Sequence, residues 1–280
     1  MVTTETTTGW RTMAGRRAAN QDAVYAGRLP DGRELLAVAD GMGGHKGGEV
    51  ASQRTIETVV AGLQEGRTLR DAVLAANDVV RAAAVENPAW QGMGTTLVAL
   101  LRSGERYQIA NVGDSRGYIV TDDGIRQVTA DHSFMAEALA ARKMSAEEVK
   151  RSRWRNALTR AIGTEEHVDV DIFGPFDVSE PHVVLLCSDG LHGAVSDEAM
   201  RRCVTEMSNL SLAAERLANE AYGNGSKDNI SVAIMRFGEG VKVATRLPQA
   251  AAWQPRPSRL IIGPEERHRS LLQRVFTLFT

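Results

Sequence analysis

The stretch LLAVADGMGGHKGGE, from Leu35 to Glu49, joins an apolar run to a carboxylate and then to a segment rich in glycine. The run up to Ala39 has the composition of a buried strand. Asp40 follows it, and five of the next eight residues are glycine, at positions 41, 43, 44, 47 and 48. A single Asp-Gly pair after a strand is ordinary turn chemistry. The pattern therefore indicates a functional site only if other strands of the chain end in the same way.

Three more aspartates stand where predicted strands meet loops. Asp114 ends YQIANVGD, Asp189 ends HVVLLCSD, and Asp228 comes just before the strand ISVAIMRF. Carboxylates that meet at one end of a sheet repel each other unless a cation lies between them. Oxygen ligands without nearby His or Cys favour the hard cations Mg²⁺ and Mn²⁺. We therefore predict a divalent-cation site where these strands end.

The composition is that of a soluble globular protein. The 280 residues are 43% hydrophobic and 24% charged, and the formal net charge of -2 gives no electrostatic reason to expect a nucleic-acid partner. No secretory signal pattern and no apolar run of transmembrane length is present, so we expect a cytoplasmic protein without a transmembrane segment. Cys187 and Cys203 are expected to pack in the core rather than to pair.

The periodicity alternates groups of strands with groups of helices, which favours an α+β layered fold over a regular βαβ winding. Strands are predicted at about 33–39, 94–101, 106–112, 116–121, 125–129, 182–188 and 230–237. Helices are predicted at about 48–65 and 69–84, from Ser145, after Ser196, and at about 211–222. Asp123-Gly124 is typical of a hairpin turn, and Ser145 with Glu148 has the form of a capping box.

The composition changes near residue 238. Four of the eight prolines lie beyond it, at positions 248, 255, 257 and 264. We expect a compact domain over residues 9–237, a flexible N-terminus over 1–8, and a Pro/Arg-rich linker with a short amphipathic tail over 238–280. Two interpretations of the tail stay open: a disordered extension, or a segment that docks a partner.

Eight motifs together resemble a known family. RAANQD, VADGMGGHKGGEVAS, GMGTTL, IANVGDSRGYI, VTADHS, LTRAIG, LLCSDGL and SKDNISV occur in the order typical of the metal-dependent serine/threonine phosphatases of the PPM (protein phosphatase 2C) family, bacterial type. The resemblance covers about residues 9 to 237. It implies a four-layer α-β-β-α sandwich, in which two stacked antiparallel sheets are flanked by helix pairs.

The resemblance also implies a centre with two Mn²⁺ or Mg²⁺ ions and a possible weaker third. By position, Asp40 matches the residue that bridges both ions, and the Gly41 carbonyl matches a ligand of the second. The remaining matches are Asp189 and Asp228 for the first ion, Asp114 with Asp189 for the third site, Asp22 for a water-mediated contact, and Arg17 for the phosphate-binding arginine. The catalytic set is therefore expected to be Arg17, Asp40 and Asp189.

The implied activity is hydrolysis of phosphoserine and phosphothreonine in proteins by a metal-activated water. Many eukaryotic relatives carry His where this chain has Met42, and neither His45 nor His132 occupies that place. We therefore expect a metal-bound water to protonate the leaving group. Gln21 stands where some relatives carry Glu, so a direct carboxylate contact is not expected there.

Residues 133–157, here called the flap segment, resemble the family's flap beside the active site. Its basic stretch, Lys150 to Arg155, could attract acidic phosphopeptides or form a solvated helix face. The expected partners are phosphorylated proteins, including a Ser/Thr kinase. Two alternatives remain: a catalytically inactive module that binds phosphoproteins, and a phosphatase for small molecules. The complete set of aspartates disfavours the inactive module.

Overall fold

The computed structural model describes residues 6–43, 46–142, 144–154 and 157–238. The strands are β1 Thr6–Met13, β2 Asp22–Arg28, β3 Glu34–Met42, β4 Gly94–Thr95, β5 Leu97–Ser103, β6 Arg106–Val112, β7 Arg116–Thr121, β8 Gly124–Gln127, β9 Asp171–Asp177, β10 His182–Cys187 and β11 Ile230–Phe237. The helices are α1 Gly47–Gln64, α2 Leu69–Glu86, α3 Phe134–Ala140, α4 Ala146–Arg151, α5 Asp189–His192, α6 Asp197–Glu206 and α7 Leu210–Gly223, with a 3-10 turn at Pro88–Trp90.

The strands form two antiparallel sheets. The first sheet has the order β1-β11-β10-β7-β8, and the second has the order β2-β3-β5-β6-β9, with β4 paired to the end of β3. Strands that are distant in the chain are neighbours in the sheets. For example, β1 pairs with β11 along its whole length, from Thr6 opposite Phe237 to Met13 opposite Ile230. The sheet order therefore brings loops from the start, middle and end of the domain to shared edges.

Side-chain alternation divides the core into three apolar layers. On β3, Leu36 and Val38 face the other sheet, whereas Leu35 and Ala37 face α1 and α2. The strands of the first sheet alternate in the same way, and their other face packs against α6 and α7. The order of layers is helices, sheet, sheet, helices. The predicted four-layer α-β-β-α sandwich is confirmed.

Several local predictions need correction. β1 begins at Thr6, so residues 6–8 belong to the first sheet and not to a flexible N-terminus. β3 extends through Asp40 to Met42, so Asp40 lies inside the strand rather than after it. Strands β1, β2 and β9 were not predicted, nor was α3 in the flap segment. Residues 239–280, which hold the predicted linker and tail, lie outside the described residues, as do Gly44 and His45.

Other local predictions are confirmed. Ser145 and Glu148 form the capping box, because the Ser145 N–H donates to Glu148 Oε2 at 2.8 Å and the Glu148 N–H donates to Ser145 Oγ at 3.4 Å. Cys187 and Cys203 are buried and unpaired. No helix in the described part of the chain has the length and apolar character needed to cross a membrane.

Candidate metal centre

Alternation along β3 aims Asp40 into the space between the two sheets. Leu36 and Val38 face that space, and Asp40 is the next residue in the same series. Asp22 is the direct neighbour of Asp40 across the β2–β3 pair, and cross-strand neighbours share a face of the sheet. The two carboxylates therefore lie side by side at one edge of the sandwich, a region that we call the acidic edge.

Three further aspartates reach the acidic edge from other strands. Asp114 follows β6, Asp189 is the first residue of α5 after β10, and Asp228 lies two residues before β11. These aspartates lie close enough to interact, because the charges of Asp22, Asp189, Asp114 and Asp228 all raise the pKa of Asp40. The structure thus brings together the five aspartates that the sequence analysis named.

The backbone of Asp40 is held by threonines from the second sheet. Its N–H donates to Thr96 Oγ1 at 3.0 Å, and its carbonyl accepts from the Thr96 N–H and the Thr95 hydroxyl, each at 2.9 Å. Thr96 Oγ1 also lies 2.7 Å from the Ser115 hydroxyl, next to Asp114. Because these groups are buried, the position of Asp40 is set by the sheet rather than by its own side chain.

Asp22 is buried, and only one of its two carboxylate oxygens accepts a hydrogen bond from the described residues. The Ser188 hydroxyl, from the first sheet, donates to Asp22 Oδ2 at 2.9 Å, whereas Oδ1 has no hydrogen-bond partner. Burial raises the pKa of Asp22 to about 7, and the charges of Asp189 and Asp228 act in the same direction. Asp22 Oδ1 is therefore a buried acceptor for which the described residues provide no hydrogen bond.

The other carboxylates experience the same conflict between burial and charge. Burial raises the pKa of Asp40 well above its ordinary value, with further contributions from Asp22 and Asp189. Burial, together with the charge of Asp189, raises the pKa of Asp114 to about 8. Burial and the charge of Asp228 raise the pKa of Asp189. The acidic edge is thus a site of strong negative potential, which is the electrostatic environment that a multivalent cation stabilises.

The donor set fits Mn²⁺ or Mg²⁺. It consists of carboxylate and carbonyl oxygens, and the described residues give neither Asp22 Oδ1 nor Asp189 Oδ1, both buried, a hydrogen-bond partner. Within the described ranges, no three His, Cys, Asp or Glu side chains already have the close spacing of a coordination cage. Mutual repulsion between neighbouring carboxylates favours a wider spacing than that of a cage. The types of ligand atom at the acidic edge therefore suit these cations, whereas the spacing of the described side chains is not that of a coordination cage.

The glycines after Asp40 let two backbone segments touch. A Cβ on Gly41 would collide with the carbonyl of Gly48, at the first turn of α1, and would lie 2.6 Å from the Gln21 carbonyl. The Gly41 N–H donates to that Gln21 carbonyl at 3.2 Å. Side chains are therefore excluded here by the close approach of β3, α1 and the start of β2. This packing explains why the sequence is rich in glycine next to a charged residue.

Arg17 lies on the loop between β1 and β2 and binds Asp228. Its Nη2 donates to Asp228 Oδ2 at 2.7 Å, and its Nε donates to the Lys227 carbonyl at 3.1 Å. The side chain is 57% exposed, so the guanidinium stands at the mouth of the acidic edge. The ion pair with Asp228 raises the pKa of Arg17, which keeps it charged. Arg17 is thus a fixed cation beside the aspartates, open to an anion from solvent.

Asn229 shapes the loop that carries Arg17. Its amide donates to the carbonyls of Ala14 and Ala19 at 2.9 and 2.8 Å, and its Oδ1 accepts from the Gln21 N–H at 2.8 Å. No role was predicted for Asn229 from the sequence, although its place in the motif SKDN next to Asp228 was a usable signal. Ser188 and Thr96 were missed in the same way.

Three residues near the motifs bear on proton donation, His132, His192 and Met42, and each has a different environment. His192 Nε2 donates to the Asp114 carbonyl at 3.1 Å. Burial lowers the pKa of His192 to about 4, so it is neutral at pH 7. His132 is fully buried and binds the backbone of Gly113. Met42 ends β3 opposite Gly94. His132 and His192 are therefore both engaged by backbone groups, and Met42 itself has no proton to donate.

The comparisons with known proteins agree with this geometry. A family profile described as Protein phosphatase 2C matches residues 12–221. The serine/threonine phosphatase stp of Listeria monocytogenes is 36% identical over 238 residues, which cover 81% of this chain and 94% of that protein.

Solved structures of serine/threonine phosphatases are also similar to this chain. The crystal structure of the Mycobacterium tuberculosis serine/threonine phosphatase PstP/Ppp superposes with a TM-score of 0.72 at 34% identity, covering 84% of this chain and 99% of that one. A second structure, of the PstP catalytic domain in complex with 2 manganese ions, superposes with a TM-score of 0.70 at 33% identity, covering 84% of this chain and 99% of that one. Because the family profile spans more than half of the sequence, the chain belongs to the protein phosphatase 2C family.

Proposed function

We propose that the chain is a metal-dependent phosphatase that hydrolyses phosphoserine and phosphothreonine in proteins. One observation carries the proposal: five aspartates from separate strands converge on one edge of the sandwich, burial raises the pKa of four of them, and Arg17 stands at the mouth. The resemblance to bacterial serine/threonine phosphatases over most of the chain supports the same substrate class.

Each residue has a distinct part in the proposed site. Asp40, the Gly41 carbonyl, Asp189 and Asp228 would hold two cations, Asp22 would act through water, and Asp114 with Asp189 would hold a weaker third. Bound Mn²⁺ or Mg²⁺ supplies a water of lowered pKa and positive charge near the phosphoryl oxygens. Arg17 offers a planar fork of donors for two phosphoryl oxygens, and it orients the substrate at the acidic edge.

The departing serine or threonine oxygen needs a proton. Met42 cannot donate one, and both ring nitrogens of His132 are engaged in the interior. We therefore assign protonation of the leaving group to water held at the acidic edge rather than to a side chain. The kinase partner, the cytoplasmic location and docking by the tail stay predictions.

The decisive experiment is hydrolysis of a phosphothreonine peptide by the full chain. We expect turnover with Mn²⁺, none with chelator, and a loss of at least about 100-fold in Asp189→Asn, because a lost cation ligand removes several kcal/mol of charge stabilisation. Asp177→Asn is the matched control: this carboxylate lies on the surface in an ion pair with Arg106. Turnover that survives both chelation and Asp189→Asn would overturn the proposal. Binding of the peptide without turnover would indicate an inactive binding module.

A further inference from the structure

His132 lies where the two ends of the flap segment meet. Its carbonyl accepts a hydrogen bond from the Thr159 N–H at 2.9 Å, just after the flap segment ends. The next residue, Ser133, forms an antiparallel bridge with Leu158 and caps α3 by accepting from the Ala136 N–H at 3.3 Å. His132 is therefore hydrogen-bonded directly to the base of the flap segment.

His132 also holds the peptide group next to Asp114. The Gly113 N–H donates to His132 Nδ1 at 3.0 Å, and the His132 N–H donates to the Gly113 carbonyl at 2.9 Å. Gly113 has φ of +102°, and a Cβ there would lie 2.6 Å from the Cβ of Thr96. Since the backbone is confined on both sides, the direction in which Asp114 leaves Gly113 depends on His132.

The imidazole ring is fixed by two partners on its far side. A backbone N–H can only donate, so Nδ1 is the acceptor and Nε2 carries the proton in the neutral ring. Nε2 donates to Asp171 Oδ2 at 3.1 Å, and the other oxygen of Asp171 accepts from Arg160 Nη1 at 3.1 Å. Arg160 Nη1 lies 3.2 Å from His132 Nε2, but both atoms carry protons, so this is a contact and not a hydrogen bond.

We propose that His132 is a positioning residue that couples the flap segment to Asp114, so that the conformation of the flap sets how tightly Asp114 binds a divalent cation. The coupling deepens the proposed function and rests on it. Both ring nitrogens are already engaged in the protein interior, so His132 acts through geometry and not by exchanging a proton with substrate. By linkage, cation binding at Asp114 must also bias the flap segment.

Two substitutions of His132 test its contact with Gly113 and its contact with Asp171 separately. In His132→Asn the amide oxygen lies near the position of Nδ1 and can still accept from Gly113. In His132→Gln the longer side chain extends towards Asp171 and leaves the Gly113 N–H without its acceptor. The probes are direct Mn²⁺ binding to the metal-free protein, by electron paramagnetic resonance of free Mn²⁺, and hydrogen exchange of residues 134–142 with and without Mn²⁺.

In the wild type we expect Mn²⁺ to slow exchange in residues 134–142. His132→Gln should weaken the weakest Mn²⁺ site roughly tenfold, the lower range for residues that orient a ligand, and should abolish the Mn²⁺-dependent change in exchange. His132→Asn should stay within about threefold of wild type, since one neutral hydrogen bond is retained. His182→Gln is the control, because His182 is also buried but bonds Tyr107 and Glu180 at the far end of β10.

Wild-type Mn²⁺ affinity in His132→Gln, or Mn²⁺-dependent exchange that survives in it, would overturn the coupling. If circular dichroism shows that His132→Gln does not fold, Asp171→Ala removes the acceptor of Nε2 and releases the ring from its other side. It must weaken the same Mn²⁺ site, and unchanged affinity would overturn the proposal. The proposed function fails separately: a wild type that shows Mn²⁺-dependent exchange but does not hydrolyse phosphopeptides would retain the coupling and lose the enzymatic assignment.

Discussion

Replacing Asp22 with asparagine is expected to stabilise the metal-free protein at alkaline pH. Burial, with the neighbouring carboxylates, raises the pKa of Asp22 from its ordinary 3.8 to about 7. Since the folded pKa exceeds the unfolded one, the folded protein holds more protons between these values, and its stability falls as pH rises through that window. At about 1.4 kcal/mol per pKa unit, ionised Asp22 costs up to about 4 kcal/mol at pH 8. Asparagine keeps an acceptor for the Ser188 hydroxyl and removes the charge.

The assay is thermal unfolding followed by circular dichroism in chelator, at several pH values between 4 and 8. We expect Asp22→Asn to raise Tm at pH 8 by about 2–4 °C for each kcal/mol recovered, and the advantage to vanish towards pH 4. Added Mn²⁺ should stabilise the wild type more than the variant, since a bound cation offsets the negative charge of Asp22 that asparagine lacks.

Asp31→Asn is the control for this experiment. Asp31 is an exposed carboxylate whose pKa is lowered by hydrogen bonds at Arg33, so its replacement should give no gain at pH 8. A variant Asp22→Asn that melts at or below the wild-type temperature at pH 8 would refute the view that a buried charge at position 22 lowers the stability of the metal-free protein.

Three further predictions concern the substrate, the backbone and the tail. Arg17→Lys keeps the charge but loses the planar fork, so KM for a phosphothreonine peptide should rise about tenfold with a smaller change in kcat; an unchanged KM would argue against phosphate binding. Gly41→Ala should cost about 1–3 kcal/mol in urea unfolding, because its methyl group collides with the Gly48 carbonyl; a wild-type midpoint would mean that β3 and α1 can separate. Ending the chain after Gly238 should leave peptide turnover unchanged, and a collapse of turnover would show that the tail contributes to catalysis.

The sequence was most informative where periodicity and composition agree. The predicted strand over 106–112 coincides with β6, and the predicted helix over 69–84 corresponds to α2. The acidic residues at strand ends also indicated the acidic edge, because a charge at the end of an apolar run is unfavourable without a compensating role. Their assignment to individual ions came from family resemblance alone and stays a proposal.

The missed elements have weak signals for physical reasons. β1 and β9 are edge strands, so they need less apolar alternation than central strands do, and Trp10 of β1 is exposed. β9 contains Gly174-Pro175, which is typical of a turn, and its pairing with β6 shifts register between Tyr107 and Ile109. The roles of Asn229 and His132 depend on contacts between residues distant in the chain; the motif SKDN draws attention to Asn229, but no local pattern shows which groups either residue contacts.

The pairing of β1 with β11 has a consequence for how the domain is tethered. Thr6 lies opposite Phe237, so the chain enters and leaves the sandwich at one shared corner. Asp228 precedes the other end of β11, and the eight residues of that strand span about 26 Å. A partner that contacts the domain at Thr6 or Phe237 would thus lie about 26 Å from Asp228, at the opposite end of β11, and would leave the acidic edge accessible to phosphorylated segments.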